Sequence, residues 1–257
     1  ACTRDFGLIV TGAGGYFSEE KRHADHAVAL FEAGVPTYRL TSTATAGAYR
    51  MEKRVLTDPA RPCLLQEIAF TPLKGEADDY RVHALLAPHL VNAGMGNSAW
   101  VGEHEGVAVL FATGRGTSLA LASSLPWGVC TAGYVGVSDG WQQLFHDGRL
   151  DPACRRAENG NVALTGEIGF SARARKALLA LGFGATPEEA ALVALGSLHD
   201  GMEMAAKAYA KGWRGWQRRL LPLDRDGGGG LDAYRVSTAV LAAHRSRAEP
   251  GAAVASL

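Results

Sequence analysis

Residues 133–141 read GYVGVSDGW, and inside them Gly136-Val-Ser-Asp-Gly140 fits the pattern G-x-S-x-G. That pattern is the nucleophile elbow of serine hydrolases, with Ser138 in the nucleophile's place. The reading of this stretch decides the fold. An elbow requires a buried parallel strand before it, a long helix after it, and alternating β and α elements on both sides. The pattern fixes only three positions in a chain with 32 glycines, so its surroundings must decide.

The surroundings are antiparallel. AYRMEKRVL (48–56) alternates Tyr49, Met51, Lys53 and Val55 against Arg50, Glu52 and Arg54. YRVHALL (80–86) alternates Tyr80, Val82, Ala84 and Leu86 against Arg81 and His83. A period of two marks strands with one buried face. FGLIVT (6–11) is a further strand, and GEHEG (102–106) and TGRG (113–116) read as hairpin turns. No helical period is sustained before residue 185. Many strands with short turns predict stacked antiparallel sheets.

After GVSDG comes only the short segment WQQLFHD before a turn-like Asp147-Gly148. A short helix fits there, but the long helix of an elbow does not. The stretch is therefore read as a glycine-bent rim loop, with Gly136 and Gly140 allowing the bends and Ser138 and Asp139 bonding nearby backbone. Ser138, Asp139 and His146 do not make a triad, because adjacent Ser and Asp cannot relay through one His.

The character changes at Thr186. Thr186-Pro187-Glu188-Glu189 is a capping box with Pro at the first helical position. EEAALVALGSLHD follows, then a second predicted helix over 201–221. The latter's stripe of Met202, Ala206, Tyr209, Trp213, Trp216 and Leu220 predicts burial of Tyr209, Trp213 and Trp216. Lys207, Lys211, Arg214, Arg218 and Arg219 read as a solvated face. Residues 223–230 (LDRDGGGG) form a flexible linker, and a third helix is expected over about 231–247.

Length and charge exclude some classes. The 257 residues allow a large core, and the formal net charge of zero gives no field for nucleic acid or an anionic membrane. No apolar run approaches the roughly 20 residues of a membrane span. Cys2, Cys63, Cys130 and Cys154 are widely spaced, without CxxC; they read as buried free thiols, with two disulfides as the alternative. The chain opens at Ala1 without signal peptide or initiator Met, and is expected to be a piece of a longer protein.

Glu19, Glu20, His23 and His26 suggest metal ligands, but 23 and 26 would face opposite ways in a strand, so a solvated charged strand is expected and no metal. Gly12, Gly14 and Gly15 lack the following helix of a phosphate cradle, and no cofactor is called for. Trp127, Tyr134 and Trp141 cluster near the opening stretch, where a ring can stack on a sugar or serve the core. No carboxylate pair for glycoside hydrolysis stands out. The residues alone predict a β-sandwich followed by helices, without its own active site.

Several blocks carry a resemblance: YFSEEKR (16–22), YRMEKRVLTDP (49–59), 80–103, TAGYVGVSDGW (131–141), RAENGNVALTGEI (156–168) and LALGFG (179–184), with the Tyr209–Trp213–Trp216 helix. In this order they resemble the N-terminal region of bacterial glucoamylases and glucodextranases, glycoside hydrolase family 15. The resemblance covers nearly the whole chain. It implies a large antiparallel super-β-sandwich over 1–185, a helical linker over 186–230, and at 231–257 the first helix of an (α/α)6 catalytic barrel. It implies a parent exo-acting enzyme that releases glucose from α-glucan, with a glutamate acid and base on barrel loops. No position here matches those motifs, so no catalytic residue is assigned and the chain alone is expected to be inactive.

The implied partners are the chain's own barrel and α-glucan. Tyr134, Ser138, Asp139 and Trp141 become an interdomain or sugar-contact loop. A periplasmic or secreted location is expected, with the cytoplasm as alternative. The rival functions are a free-standing carbohydrate-binding module, a purely structural domain, and a serine hydrolase using Ser138.

Overall fold

The computed structural model describes residues 2–223, 233–245, 249 and 251–253. Fourteen strands form two sheets. The smaller sheet holds β1 (Thr3–Gly12), β2 (Tyr16–Glu19), β7 (Tyr80–Pro88), β11 (Trp127–Tyr134) and β13 (Val162–Ile168), in the order β11-β13-β7-β1-β2. The larger holds β3 (Ala24–Glu32), β4 (Val35–Ala44), β5 (Tyr49–Thr57), β6 (Cys63–Pro72), β8 (Asn97–His104), β9 (Val107–Gly114), β10 (Thr117–Ser123), β12 (Arg156–Gly160) and β14 (Lys176–Gly184). Its order is β12-β8-β9-β10-β14-β6-β5-β4-β3. Every pairing is antiparallel, which removes the strand–crossover–strand frame an elbow needs.

The hairpins follow from turn chemistry. Glu105-Gly106 and Arg115-Gly116 all have positive φ (49°, 79°, 52° and 75°), as in a two-residue turn whose twist matches its strands. The core lies between the sheets. Tyr49, Met51, Ile68 and Phe70 from the large sheet meet Leu8, Val10, Val82 and Leu86 from the small one. Tyr49, Met51, Val82 and Leu86 are inward positions of the alternation in 48–56 and 80–86.

Helices cover the outer faces. α2 (Pro187–Gln217) crosses the large sheet and buries Ala190, Ala191, Ala194, Ala205 and Ala206, small side chains that allow a close approach. Thr186 caps it, accepting from Glu189 N at 3.2 Å, as the capping box predicts. The two expected helices lie inside one element broken at Gly201 (φ 79°, ψ 165°), and the helix ends at Gln217, short of 221. Tyr209, Trp213 and Trp216 are half-buried rather than buried. They line an open cleft of about 780 Å³ with Arg61, Cys63 and Phe183, whose other side is formed by Ala242 and Ala243 at the end of α3 (Ala233–Ala243) and by Arg245, 5.7 Å from the Trp216 ring. Lys207, Lys211, Arg218 and Arg219 are exposed as expected, while Arg214 pairs with Glu32 at 2.6 Å. The third helix, α3, is described over Ala233–Ala243. The glycine run of the expected linker, 227–230, lies outside the described residues.

Two expectations of burial fail, one for His83 and one for the cysteines. His83 is buried, although its alternation placed it on the open face. That face is covered: Thr11 Oγ1 lies 3.1 Å from His83 Nε2, and beside it α1 (Gly140–Asp147) packs Leu144 with Ile9, Leu85 and Ala163 on the small sheet's outer face. Burial pushes His83 down to about 3, with Arg81 adding to the shift. All four cysteines are free thiols, but only Cys63 and Cys130 are buried.

Candidate functional site

The loop after β11 turns on a single carbonyl. Tyr134 O accepts from the backbone N–H groups of Val137, Ser138 and Asp139 at 3.0, 3.0 and 3.1 Å. Gly136 supplies the left-handed bend at φ 76°. Asp139, buried, caps α1 by accepting from Gln142 N at 2.9 Å, and its other oxygen accepts from Gly136 N. Gly140 plays a different part from the bend expected of it. Its backbone is helical, and a Cβ there would sit 2.3 Å from Thr165 Oγ1, so glycine lets the helix start lie directly on β13.

Ser138 Oγ accepts from Tyr134 N at 3.1 Å. Among the described residues no histidine hydrogen-bonds it, and His146 sits against Phe145 at a ring distance of 5.1 Å. The serine closes the turn, and among the described residues no general base is within hydrogen-bond reach of it.

Trp141 ties the loop to the N-terminal strands. Its Nε1 donates to Glu19 Oε2 at 2.8 Å, across 122 positions of sequence. Phe145 stacks on the ring at 4.9 Å and 15°, Phe17 meets it edge-on at 5.5 Å, and the Arg22 guanidinium lies 5.8 Å from its centre. Much of the indole is thus already covered. Tyr134 is 41% exposed, and its hydroxyl donates to Glu158 O at 3.1 Å and accepts from Glu158 N at 3.2 Å. Trp127 packs against the core instead.

Beside the loop lies a cleft of about 380 Å³ lined by Arg4, Asp5, Lys21 and Arg22 with Glu19, Asp139 and Trp141. Its carboxylates are engaged. Glu19 meets Arg22 Nε at 3.3 Å and Lys21 Nζ at 3.5 Å, and Lys21 also pairs with Asp5. The structure places Tyr134, Ser138, Asp139 and Trp141 on this one loop and its helix start, and adds Glu19, which the sequence reading had set in a charged strand.

That charged strand does not exist as such. Glu19 ends β2, and Glu20 and His23 form the turn before β3. Glu19 and Glu20 are both buried, not solvated. Glu20 holds Lys53 Nζ at 2.6 Å and accepts from Ser42 Oγ at 2.6 Å, while His26 Nδ1 is 3.1 Å from Ser42 Oγ. Glu19 N donates to His23 Nδ1 at 3.0 Å, and among the described residues no cluster of three or more such ligands is formed.

A fourth buried carboxylate, Asp58, had no signal in the sequence. Asp58 accepts from Ser197 Oγ at 2.7 Å and Ala60 N at 2.8 Å, with Arg61 at 3.4 Å. Burial pushes its pKa up, but these donors and the Arg61 charge outweigh it and hold the group below the usual range. It joins the β5–β6 loop to α2. No described helix is long and apolar enough to cross a membrane.

Fold and site together define a large antiparallel super-β-sandwich with a rim loop braced by Asp139 and Trp141. Residues 1–218 match the family described as "Glucodextranase, domain N", and the chain belongs to that family. It is 26% identical over its whole length to a glucoamylase of Clostridium sp. (strain G0005), and spans 36% of that protein. The structure of a bacterial glucoamylase complexed with acarbose superposes with a TM-score of 0.88 at 26% identity, over 95% of this chain and 36% of that one. An inverting mannosidase of family GH92 from Bacteroides thetaiotaomicron shares the fold at a TM-score of 0.55 and 12% identity, over 90% of this chain and 28% of that one.

Proposed function

We propose that this chain is the non-catalytic N-terminal domain of a glucoamylase-like hydrolase that releases glucose from α-glucans, and that it braces the catalytic barrel. The supporting observation is the likeness along the whole chain to a glucoamylase almost three times as long, of which this chain spans 36%. Glycoside hydrolysis requires two carboxylates facing each other across a sugar. The acids lining the cleft beside loop 133–141 are each engaged by a cation or a backbone N–H. The chemistry then belongs to residues beyond this region, and α3 is the opening helix of that barrel. Loop 133–141 is positional, with its polar atoms spent on its own turn and on β2.

The test is glucose release from maltose and isomaltose. The 257-residue chain should release none, and the full-length gene product should be active. Release by the short chain, abolished by changing one of its own acids, overturns the reading. A second reading, a free-standing glucan-binding module, is favoured by the partly exposed ring of Tyr134. Retention of the short chain on insoluble glucan would establish it.

A further inference from the structure

β3 (Ala24–Glu32) ends the nine-stranded sheet, and no described strand pairs with its free side. A free edge is an open ladder of N–H and C=O groups, which proteins blunt with charge, Pro, short length or a bulge. The other three sheet edges are blunted. β2 has four residues, β12 has five, and β11 breaks register between Trp127 and Cys130. β3 runs for nine residues, and its centre, Ala27-Val-Ala-Leu-Phe31, carries neither charge nor Pro. Its one register break, between Leu30 and Glu32, falls next to the turn into β4. Residues 25–31 are all exposed.

Apolar side chains stand on both faces of this edge. His26, Val28 and Leu30 pair with Ser42, Leu40 and Tyr38 of β4, and Ser42 pairs with Met51 of the core, so this face is the inner one. Val28 is nevertheless 63% exposed, Leu30 53% and Tyr38 43%, because the five-stranded sheet stops short of them. On the outer face Phe31 is 41% exposed, with the Arg39 and Arg54 guanidinium groups 4.9 and 4.5 Å from its ring centre. Exposed apolar groups beside an open ladder mark a surface that takes up another strand.

The sequence of the edge selects the strand. Turned antiparallel onto itself about Ala29, β3 sets Val28 opposite Leu30, Ala27 opposite Phe31 and His26 opposite Glu32, each pair twice by symmetry. These pairs suit one another: aliphatic on aliphatic, a small side chain beside a ring, an imidazole beside a carboxylate. His26 meets Ser42 Oγ through Nδ1 at 3.1 Å, which leaves Nε2 for the carboxylate. Glu32 accepts from Arg214 Nε and Nη2, one on each oxygen, and a carboxylate has lone pairs beyond those two. Other registers fit worse. Turned about Val28, the strand would set Asp25 against Phe31 and His26 against Leu30; one residue out, Asp25 would face Glu32. A two-fold contact of this kind uses the same edge of both copies, so it closes as a dimer.

We propose that two copies of this protein pair edge to edge along β3, antiparallel and centred on Ala29, joining their large sheets into one. The proposal does not depend on the hydrolase reading, and its test uses no glucose release. Sedimentation velocity of the full-length gene product and of the 257-residue chain should show a species of twice the monomer mass that dissociates on dilution. In a C2S/C154S background, A29C should cross-link on mild oxidation. Directly opposite Cα atoms lie about 4.5–5.5 Å apart, and a disulfide spans about 4.4–6.8 Å. A27C, on the same face but about 14 Å from its own copy, should not cross-link. V28K replaces two apolar pairs of the dimer and should weaken association about tenfold. It should move the melting point of the 257-residue chain by less than about a degree. L192K, at an exposed apolar position of α2, should leave association unchanged. A monomer at every concentration overturns the proposal. So does a dimer that survives V28K, or one that A27C cross-links in place of A29C. A monomeric full-length protein beside a dimeric short chain also overturns it, since the remaining polypeptide would then cover β3.

Discussion

Asp139→Ala is the most informative single change. The carboxylate is 4% exposed and accepts two backbone N–H groups, from Gln142 at the start of α1 and from Gly136 in the bend. Loss of a helix cap costs about 1 kcal/mol. The second bond, to an ionised acceptor, contributes roughly 1.5–3 kcal/mol. Because both bonds hold one short segment, their losses overlap, and about 2–3 kcal/mol in all is the expected destabilisation. At about 2–4 °C per kcal/mol for a domain of this size, the melting point should fall by roughly 4–12 °C. Ser138→Ala removes one hydrogen bond from a half-buried hydroxyl and should cost about 0.5–1.5 kcal/mol. Asp139→Asn keeps a competent cap and should fall between the two. Scanning calorimetry of the 257-residue chain reads all three. A shift under about a degree for Asp139→Ala, or an equal shift for Ser138→Ala, refutes the account of the loop as braced by its aspartate.

Trp141→Phe removes the donor to buried Glu19 while keeping most of the ring, and denaturant unfolding should register a loss of roughly 1.5–3 kcal/mol. Gly140→Ala should destabilise through the clash with Thr165, and near-wild-type stability would mean that α1 can lift off β13 freely. Trp213→Ala should lose about half of the 3–5 kcal/mol of a core aromatic, since the ring is half-buried, with a melting shift under about a degree counting against any packing role. His83 titrates near 6.5 when unfolded but is pushed down to about 3 in the fold. Between those values the unfolded chain binds the extra proton, so stability should rise with pH, and His83→Gln should flatten that slope in urea titrations. Cys63 and Cys130 are pushed up to about 11 and about 12 by burial, so a thiol reagent at pH 8 should label only Cys2 and Cys154 in the native chain.

Part of this structure was legible in single segments. In 48–56 the period of two names Tyr49 and Met51 as core, and both are fully buried. GEHEG and TGRG predict the hairpins at Glu105-Gly106 and Arg115-Gly116, because a two-residue turn has its own chemistry. Thr186 and Glu189 announce the start of α2 in the same local way, and the brevity of WQQLFHD was enough to reject the elbow. Ordered blocks along the chain carried the family. What segments could not hold was the cover on each face. His83 looked outward because its strand alternates, yet it is buried beside Thr11, which the sequence places 72 residues away. Tyr209, Trp213 and Trp216 make an apolar stripe, yet an open cleft faces them. Glu19 read as a solvated charge, and its partner Trp141 comes from 122 residues away. The sequence by itself determined the period of each strand, the turns, and the helix start, since those depend on neighbours along the chain. The tertiary structure decided which faces are covered and which charges meet, because burial and pairing depend on neighbours in space.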